Sequence, residues 1–247
     1  MILNEFFKEN PKVAIGFSGG VDSAYLLYKA KKCGADIQPY YIKTVFQPEF
    51  ELYDALRLCE EIGVELKVID FDILSVDKIK ENPKNRCYYC KRALFSTLKA
   101  QAEKDGYTLL IDGTNASDDL SDRPGAKAIS ELSVRSPLRE CSLTKDEIRK
   151  LSKEAGLFTW NKPSYSCLAT RVKTDTALDE NLLGKVEATE LALMSLGFSD
   201  FRVRTDGDIA SLEIKKDQLE KSEKMHTELL NTVKKQFKNE TLDIKER

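Results

Sequence analysis

The sequence predicts an α/β fold, a parallel sheet with helices on both faces, followed by a small α+β region. Three observations carry this reading. Short apolar runs alternate with segments of helical period through the first two-thirds of the chain. The first three helical segments each stop at a glycine, Gly34, Gly63 and Gly106, as suits a residue that closes a helix in the left-handed conformation. Near residue 172 the pattern changes to helix, two short strands about Asp206-Gly207, helix and a last short strand.

In chain order, Val13–Phe17 reads as a buried strand, Ser23–Cys33 as a helix and Ile37–Thr44 as a strand. Phe50–Ile62 is helical, Glu65–Asp70 strand-like, Tyr89–Asp105 helical and Thr108–Asp112 a strand. Lys145–Ala155 is a well-marked helix: Thr144 and Glu147 form a capping box and Gly156 closes it. Phe158–Arg171 shows no period and is expected to be an ordered loop. Asp179–Leu196 follows as an amphipathic helix, then strands Phe201–Arg204 and Ile209–Ile214, a helix Glu220–Lys238 and a strand near Leu242–Ile244. The expected organisation is a main domain over 1–171 and a smaller α+β domain for substrate or oligomer contacts over 172–247.

Composition narrows the function. The chain has 247 residues, 41% hydrophobic, enough for one sizeable core or a core with a satellite. Charges balance, 39 Lys+Arg against 41 Asp+Glu, so no global footprint for nucleic acid or anionic membrane is expected. No apolar run approaches the ~18 residues of a membrane span. Met1–Lys8 does not resemble a secretion signal, so a reducing cytoplasm is expected, with the six cysteines as thiols or ligands. The single histidine, His226, argues against a Ser-His-Asp hydrolase or a multi-histidine metal site.

The strongest local feature is Ser18-Gly19-Gly20-Val21-Asp22-Ser23, between a strand and a helix. Paired glycines let the backbone turn and approach a bound group. The helix start offers unpaired N–H donors and a positive dipole end. Ser18 and Ser23 add hydroxyls, which together suit a pyrophosphate. Asp22 would repel phosphate unless a cation lies between them, which implies Mg²⁺. A P-loop is excluded because no lysine precedes the terminal Ser. A second polar string, Asp112-Gly113-Thr114-Asn115-Ala116-Ser117-Asp118-Asp119, follows another expected strand.

Arg86-Cys87-Tyr88-Tyr89-Cys90-Lys91 holds a Cys-x-x-Cys pair at a helix start, and Cys167 lies in Pro163–Arg171. Two thiolates at this spacing can grip one metal, bind neighbouring irons of a cluster, or form a redox pair. Arg86, Lys91, Arg92 and the helix start favour thiolates. Cys33 and Cys59 read as small core residues. Cys141 has no assigned role. Tyr88, Tyr89, Trp160 and Tyr165 flank the cysteine segments and can stack on a ring or shield the thiols from water.

The phosphate string and the Asp112–Asp119 loop resemble the PP-loop ATP pyrophosphatases, whose fold is the adenine nucleotide alpha hydrolase type. Together with Asn85–Lys91, Asp122-Arg123-Pro124-Gly125, Ser136-Pro137-Leu138, Pro163–Arg171 and, more loosely, Phe201–Glu213, the chain resembles the LarE family of sulfur transferases. These stretches span roughly residues 12–214. Asp206 stands where the family pattern has histidine, and Ser211 where it has arginine.

The resemblance implies cleavage of ATP between the α- and β-phosphates with Mg²⁺, adenylation of a carboxylate of pyridinium-3,5-biscarboxylic acid mononucleotide, and its conversion to a thiocarboxylate. One kind of member gives up the sulfur of a single cysteine. The other holds a 4Fe–4S cluster on three cysteines, with sulfide on the open iron. Cys167 matches the cysteine common to both, and Cys87 and Cys90 the additional pair, so the cluster kind is expected. The family pattern places ATP at Ser18, Gly19, Gly20, Val21, Asp22, Ser23, Asp112, Thr114, Asn115 and Arg123. It places Cys167, Asp22 and Arg171 in catalysis, and Arg202, Arg204, Glu190 and Glu213 at the substrate. It further implies a small-molecule nucleotide substrate and sulfide as partners, no nucleic acid, no membrane, and a homo-oligomer. The competing readings are a tRNA thiolation enzyme, which the balanced charge disfavours, an amide-forming ligase of the NAD synthetase kind, and a nucleotide-binding module with structural zinc.

Overall fold

The computed structural model describes residues 2–119 and 124–247. The chain divides into two compact units. The first comprises Met1–Thr44, Glu49–Phe71 and Asn85–Lys162, and the second Val45–Pro48, Asp72–Lys84 and Pro163–Arg247.

The first unit is built on four parallel strands, β1 (Lys12–Gly16), β2 (Asp36–Lys43), β3 (Lys67–Asp70) and β4 (Leu110–Ile111), in the order β3-β2-β1-β4. Its helices are α1 (Leu3–Glu9), α2 (Val21–Lys32), α3 (Glu49–Ile62), α5 (Arg86–Lys104), α6 (Pro124–Glu131), α7 (Pro137–Glu140) and α8 (Lys145–Glu154). A short helix, α4 (Asp77–Lys80), belongs to the second unit. Side-chain alternation along β1 and β2 explains the two faces. Val13, Ile15, Ile37 and Tyr41 point into one core with Leu26 and Leu27 of α2 and Leu58 of α3. Ala14, Tyr40 and Ile42 point into the other with Phe95, Leu98 and Ala102 of α5. The expected parallel sheet with helices on both faces is therefore observed.

The second unit holds α9 (Glu180–Ser195), β5 (Arg202–Asp206), β6 (Ile209–Ile214), α10 (Leu219–Lys224), α11 (His226–Lys234) and β7 (Ile244–Glu246). β5 and β6 form an antiparallel hairpin, and β7 adds parallel to β6.

Several elements differ from expectation. The helix expected over Glu220–Lys238 is two helices, because Met225 leaves helical angles at φ −105° and ψ 13°. The loop Phe158–Arg171 contains two single 3₁₀ turns, Phe158–Asn161 and Leu168–Arg171. The strand expected over Thr108–Asp112 shortens to Leu110–Ile111, and just beyond it the Asp112 side chain starts a turn by accepting from the Thr114 N–H at 3.2 Å. Upstream segments also join the second unit through backbone bonds no local pattern reveals: Leu168 N–H donates to Phe46 O, Asp175 N–H to Asn82 O and Leu178 N–H to Lys80 O, at 2.9, 2.9 and 2.7 Å. The division falls at Lys162/Pro163, so the boundary expected near residue 172 lies inside the second unit. Among the described residues no helix is long and apolar enough to cross a membrane.

One polar cluster ties the sheet to α5. The Tyr40 hydroxyl and Lys67 Nζ donate to the Asp105 carboxylate at 2.7 and 2.8 Å, and the Gln101 amide donates at 3.2 Å. Asp105 caps a helix C-terminus, where the dipole disfavours an anion. The hydrogen bonds from Lys67, Tyr40 and Gln101 nonetheless hold its pKa at about 2, below the ordinary 3.8. A depressed carboxylate stabilises the fold above its unfolded pKa, and that contribution is lost as pH falls through the folded value. Between pH 3.8 and about 2, the urea midpoint of Asp105→Asn is expected to fall less steeply than that of the parent. Equal slopes would contradict this account.

Candidate active site

The strand order places the site. From β1 the chain runs outward through β2 and β3, then returns to the other side of β1 as β4. The reversal lies between β1 and β4, and ligands bind beyond the carboxyl ends of strands at such a point. The loops that leave these two strands are the phosphate string and the Asp112–Asp119 loop.

In the phosphate loop Gly19 has φ +68°, and a Cβ there would fall 3.1 to 3.3 Å from Ala55 Cβ, Cα and N on α3. Only glycine fits both the angle and the approach. Gly20 is the N-cap of α2 and provides no side-chain cap, so the first-turn N–H groups stay available to an anion. Ser23 Oγ donates to Gly20 O at 3.2 Å and lies 3.2 Å from Ser18 Oγ. Val21 is buried beneath the turn.

The second loop is pressed onto this turn. A Cβ on Gly113 would lie 3.0 Å from Ser23 N and 3.3 Å from Ser23 Cα. Asp112, 4% exposed, accepts from Thr114 N–H at 3.2 Å, Thr114 Oγ1 at 2.6 Å and Ser136 Oγ at 2.6 Å. Its carboxylate therefore shapes the loop. Asn115 Oδ1 accepts from Ser117 N–H at 2.8 Å, while its Nδ2 donates to Asp22 Oδ1 at 3.3 Å. Arg139 braces the loop by donating to Asp118 O at 2.7 Å and Asn115 O at 3.3 Å.

Asp22 is where the two loops meet. Beside Asn115, it also receives Lys145 Nζ at 2.6 Å. Lys145 is the first residue of α8, a position the helix dipole disfavours for a cation. That local conflict is the signal by which sequence reading could have found this residue. The Thr144–Glu147 capping box is present, with Thr144 N–H donating to Glu147 Oε2 at 2.8 Å. Ser136 and Arg139 were likewise missed as working residues, because their partners are distant in sequence.

Cys87 and Cys90 stand one turn apart on α5, Cys87 exposed and Cys90 half-buried. Residues three apart share a helix face. Arg86 Nη2 lies 3.9 Å from Cys87 Sγ. Tyr88 and Tyr89 pack edge to face at 5.4 Å, and the Tyr88 hydroxyl donates to Glu131 at 2.7 Å.

Cys167, half-buried, belongs to the second unit and precedes the 3₁₀ turn. Its carbonyl accepts from Thr170 Oγ1 at 2.8 Å and Thr170 N–H at 3.0 Å. Arg171 and Glu190, each 1% exposed, lock this loop. Arg171 Nε and Nη2 donate to Glu190 at 2.9 and 3.1 Å, and Nη1 donates to Ser166 O at 2.7 Å and Thr170 Oγ1 at 3.0 Å. Glu190 also accepts from Tyr165 OH and from Val203 N–H. The Arg171 guanidinium is thus turned inward, with its donors committed to the cysteine loop and to Glu190. Arg204 pairs with Glu213 at 2.8 Å and donates to Thr170 O.

Arg202 differs from these: among the described residues it makes no hydrogen bond or ion pair. Its pKa is lowered by burial and then by the like charges of Arg247, Arg171 and Arg204. A half-buried guanidinium amid other arginines is a place for an anion. Arg123 lies outside the described residues. All six cysteines are free of disulfides, and among the described residues no group of three or more His, Cys, Asp or Glu side chains is placed to hold a metal ion.

A phosphate loop at the reversal of a parallel sheet, with a carboxylate at its mouth, defines a PP-loop ATP pyrophosphatase. Residues 11–88 match the family model described as a tRNA methyl transferase HUP domain. The chain is 35% identical, over 84% of its length and 76% of the relative's, to a pyridinium-3,5-bisthiocarboxylic acid mononucleotide synthase of Lactiplantibacillus plantarum. It is 35% identical, over 88% and 82%, to an uncharacterized protein of Synechocystis. A tRNA-specific 2-thiouridylase of Thermotoga petrophila is 28% identical over 61% of the chain and 54% of that protein. The chain belongs to the LarE family of ATP-dependent sulfur transferases.

Two outcomes follow from this geometry. Gly113→Ala is expected to weaken ATP binding at least tenfold in calorimetry, because its methyl meets α2 backbone that cannot yield; unchanged affinity would contradict the close approach. Glu190→Ala leaves a buried guanidinium without its carboxylate and is expected to destabilise the fold by about 3–5 kcal/mol. Urea unfolding measures this, and a loss under about 1 kcal/mol, the scale of an exposed pair, would contradict it.

Proposed function

We propose that this chain activates a carboxylate of pyridinium-3,5-biscarboxylic acid mononucleotide with ATP and converts it to a thiocarboxylate. The observation that carries the reading is Asp22, held by Lys145 and Asn115 beside the uncapped start of α2. The product named for the Lactiplantibacillus plantarum relative supplies the substrate class.

ATP phosphates accept hydrogen bonds from the first-turn N–H groups of α2 and from Ser18 and Ser23. Asp22 would hold Mg²⁺, which when bound would offset charge on the phosphates, and the Lys145 ammonium neutralises charge on the departing pyrophosphate. A substrate carboxylate oxygen attacks the α-phosphorus and the bond to the β-phosphate oxygen breaks, giving an acyl adenylate and pyrophosphate. A sulfide nucleophile then attacks the acyl carbon, and AMP leaves with the bonding electron pair. Arg202 is open to the substrate phosphate or second carboxylate. Arg171 and Glu190 act by positioning the Cys167 loop.

The donor types suit an iron–sulfur cluster in kind: Cys87 and Cys90 are two soft thiols on one helical turn, and Cys167 is a third soft thiol. Cys87, Cys90 and Cys167 would hold a 4Fe–4S cluster, which would supply the sulfide for transfer. In a second reading Cys167, whose loop is held by Arg171 and Thr170, gives up its own sulfur. The proposal includes a small-molecule nucleotide substrate, no nucleic acid, a homo-oligomer and a cytoplasmic setting.

Anaerobic purification with iron and sulfide analysis, followed by turnover and mass spectrometry of Cys167, tests this. Iron with intact Cys167 and a thiocarboxylate product are expected. Loss of H₂S from Cys167 would establish the sacrificial route, and absence of any thiocarboxylate would overturn the proposal. Lys145→Ala is expected to slow pyrophosphate release about a hundredfold, the scale of one lost electrostatic donor, with partial recovery in Lys145→Arg; an unchanged rate would remove Lys145 from the reaction.

A further inference from the structure

Four hydrogen bonds close a circuit through Asp22. Asn115 Nδ2 donates to Asp22 Oδ1 at 3.3 Å, and Lys145 Nζ donates to Asp22 Oδ2 at 2.6 Å. Ser117 joins the two residues that hold this carboxylate. Its N–H donates to Asn115 Oδ1 at 2.8 Å, and its Oγ accepts from the Lys145 N–H at 2.9 Å. Ser117 is itself exposed and is connected to Asp22 through these two neighbours.

The bond to Lys145 answers a need of α8. The first N–H groups of a helix have no partner within it. Thr144, the N-cap, accepts from the Glu147 N–H, so the Lys145 N–H needs another acceptor, and the Ser117 hydroxyl is that acceptor. The Ala116 N–H, donating to Leu143 O at 2.8 Å, lays the loop alongside this turn. Where Lys145 starts matters because its side chain is a flexible four-carbon stem. A shift of its backbone moves the ammonium off Asp22, and reaction rates respond steeply to displacements of this kind. We propose that Ser117 is a positioning residue for adenylation, whose hydroxyl holds the first turn of α8 so that the Lys145 ammonium stands at the phosphate loop. The inference rests on the role of Lys145 in pyrophosphate release given above.

The test compares pyrophosphate release by the full chain with that of Ser117→Ala, Lys145→Ala and the variant carrying both substitutions. Ser117→Ala keeps the backbone N–H that orients Asn115 and removes the hydroxyl alone. It is expected to lower kcat about tenfold with the KM for ATP unchanged, a smaller loss than that of Lys145→Ala because the ammonium is displaced and not removed. Residues that act as one unit are not additive, so the double variant is expected to match Lys145→Ala. A parent-like kcat in Ser117→Ala, or a double variant slower than Lys145→Ala by the full loss seen in Ser117→Ala, would overturn the role of Ser117 and leave that of Lys145 standing. A parent-like kcat in Lys145→Ala would overturn the reading of Lys145 and this inference together.

Discussion

The approach of Gly113 to the backbone of Ser23 is the constraint on which the first unit's site depends. It exists because β1 and β4 are neighbours at the point where the sheet reverses direction. Two loops that leave neighbouring parallel strands must share the space above the carboxyl edge, and here the missing Cβ of Gly113 lets them close to contact distance. The consequence is electrostatic. Asp22 is a carboxylate beside the uncapped start of α2, and the fold keeps it there with a lysine and an amide.

The second unit solves a different problem with the same chemistry. Arg171 and Glu190 are removed from water as a pair, and each is saturated by further hydrogen bonds to the loop around Cys167 and to β5. A buried pair satisfied in this way adds little net stability but penalises every arrangement that breaks it. It therefore specifies the backbone around Cys167. Arg202, on β5, has no such partner among the described residues.

Much of the first unit was legible in sequence because its signals are local. Gly34, Gly63 and Gly106 each take positive φ at a helix end, and the Thr144–Glu147 box spans four residues. The phosphate loop was legible for the same reason. What depended on distance was not. Lys145 reaches Asp22 across 123 positions, and the segments around Phe46 and Asn82 join the second unit through backbone bonds that leave no pattern in composition. That Arg171, expected in catalysis, is buried was not legible, because sequence shows charge but not burial. The helix expected over Glu220–Lys238 ran on through Met225 because no glycine or proline marks the break.

The claim at the centre of this account is that a carboxylate is adenylated at the phosphate loop before any sulfur arrives. Exchange of labelled pyrophosphate into ATP measures that step alone. Label should enter ATP when Mg²⁺ and the pyridinium dicarboxylate mononucleotide are both present, with no sulfide needed. Cleavage to ADP and phosphate, or label entering only when sulfide is supplied, would contradict it.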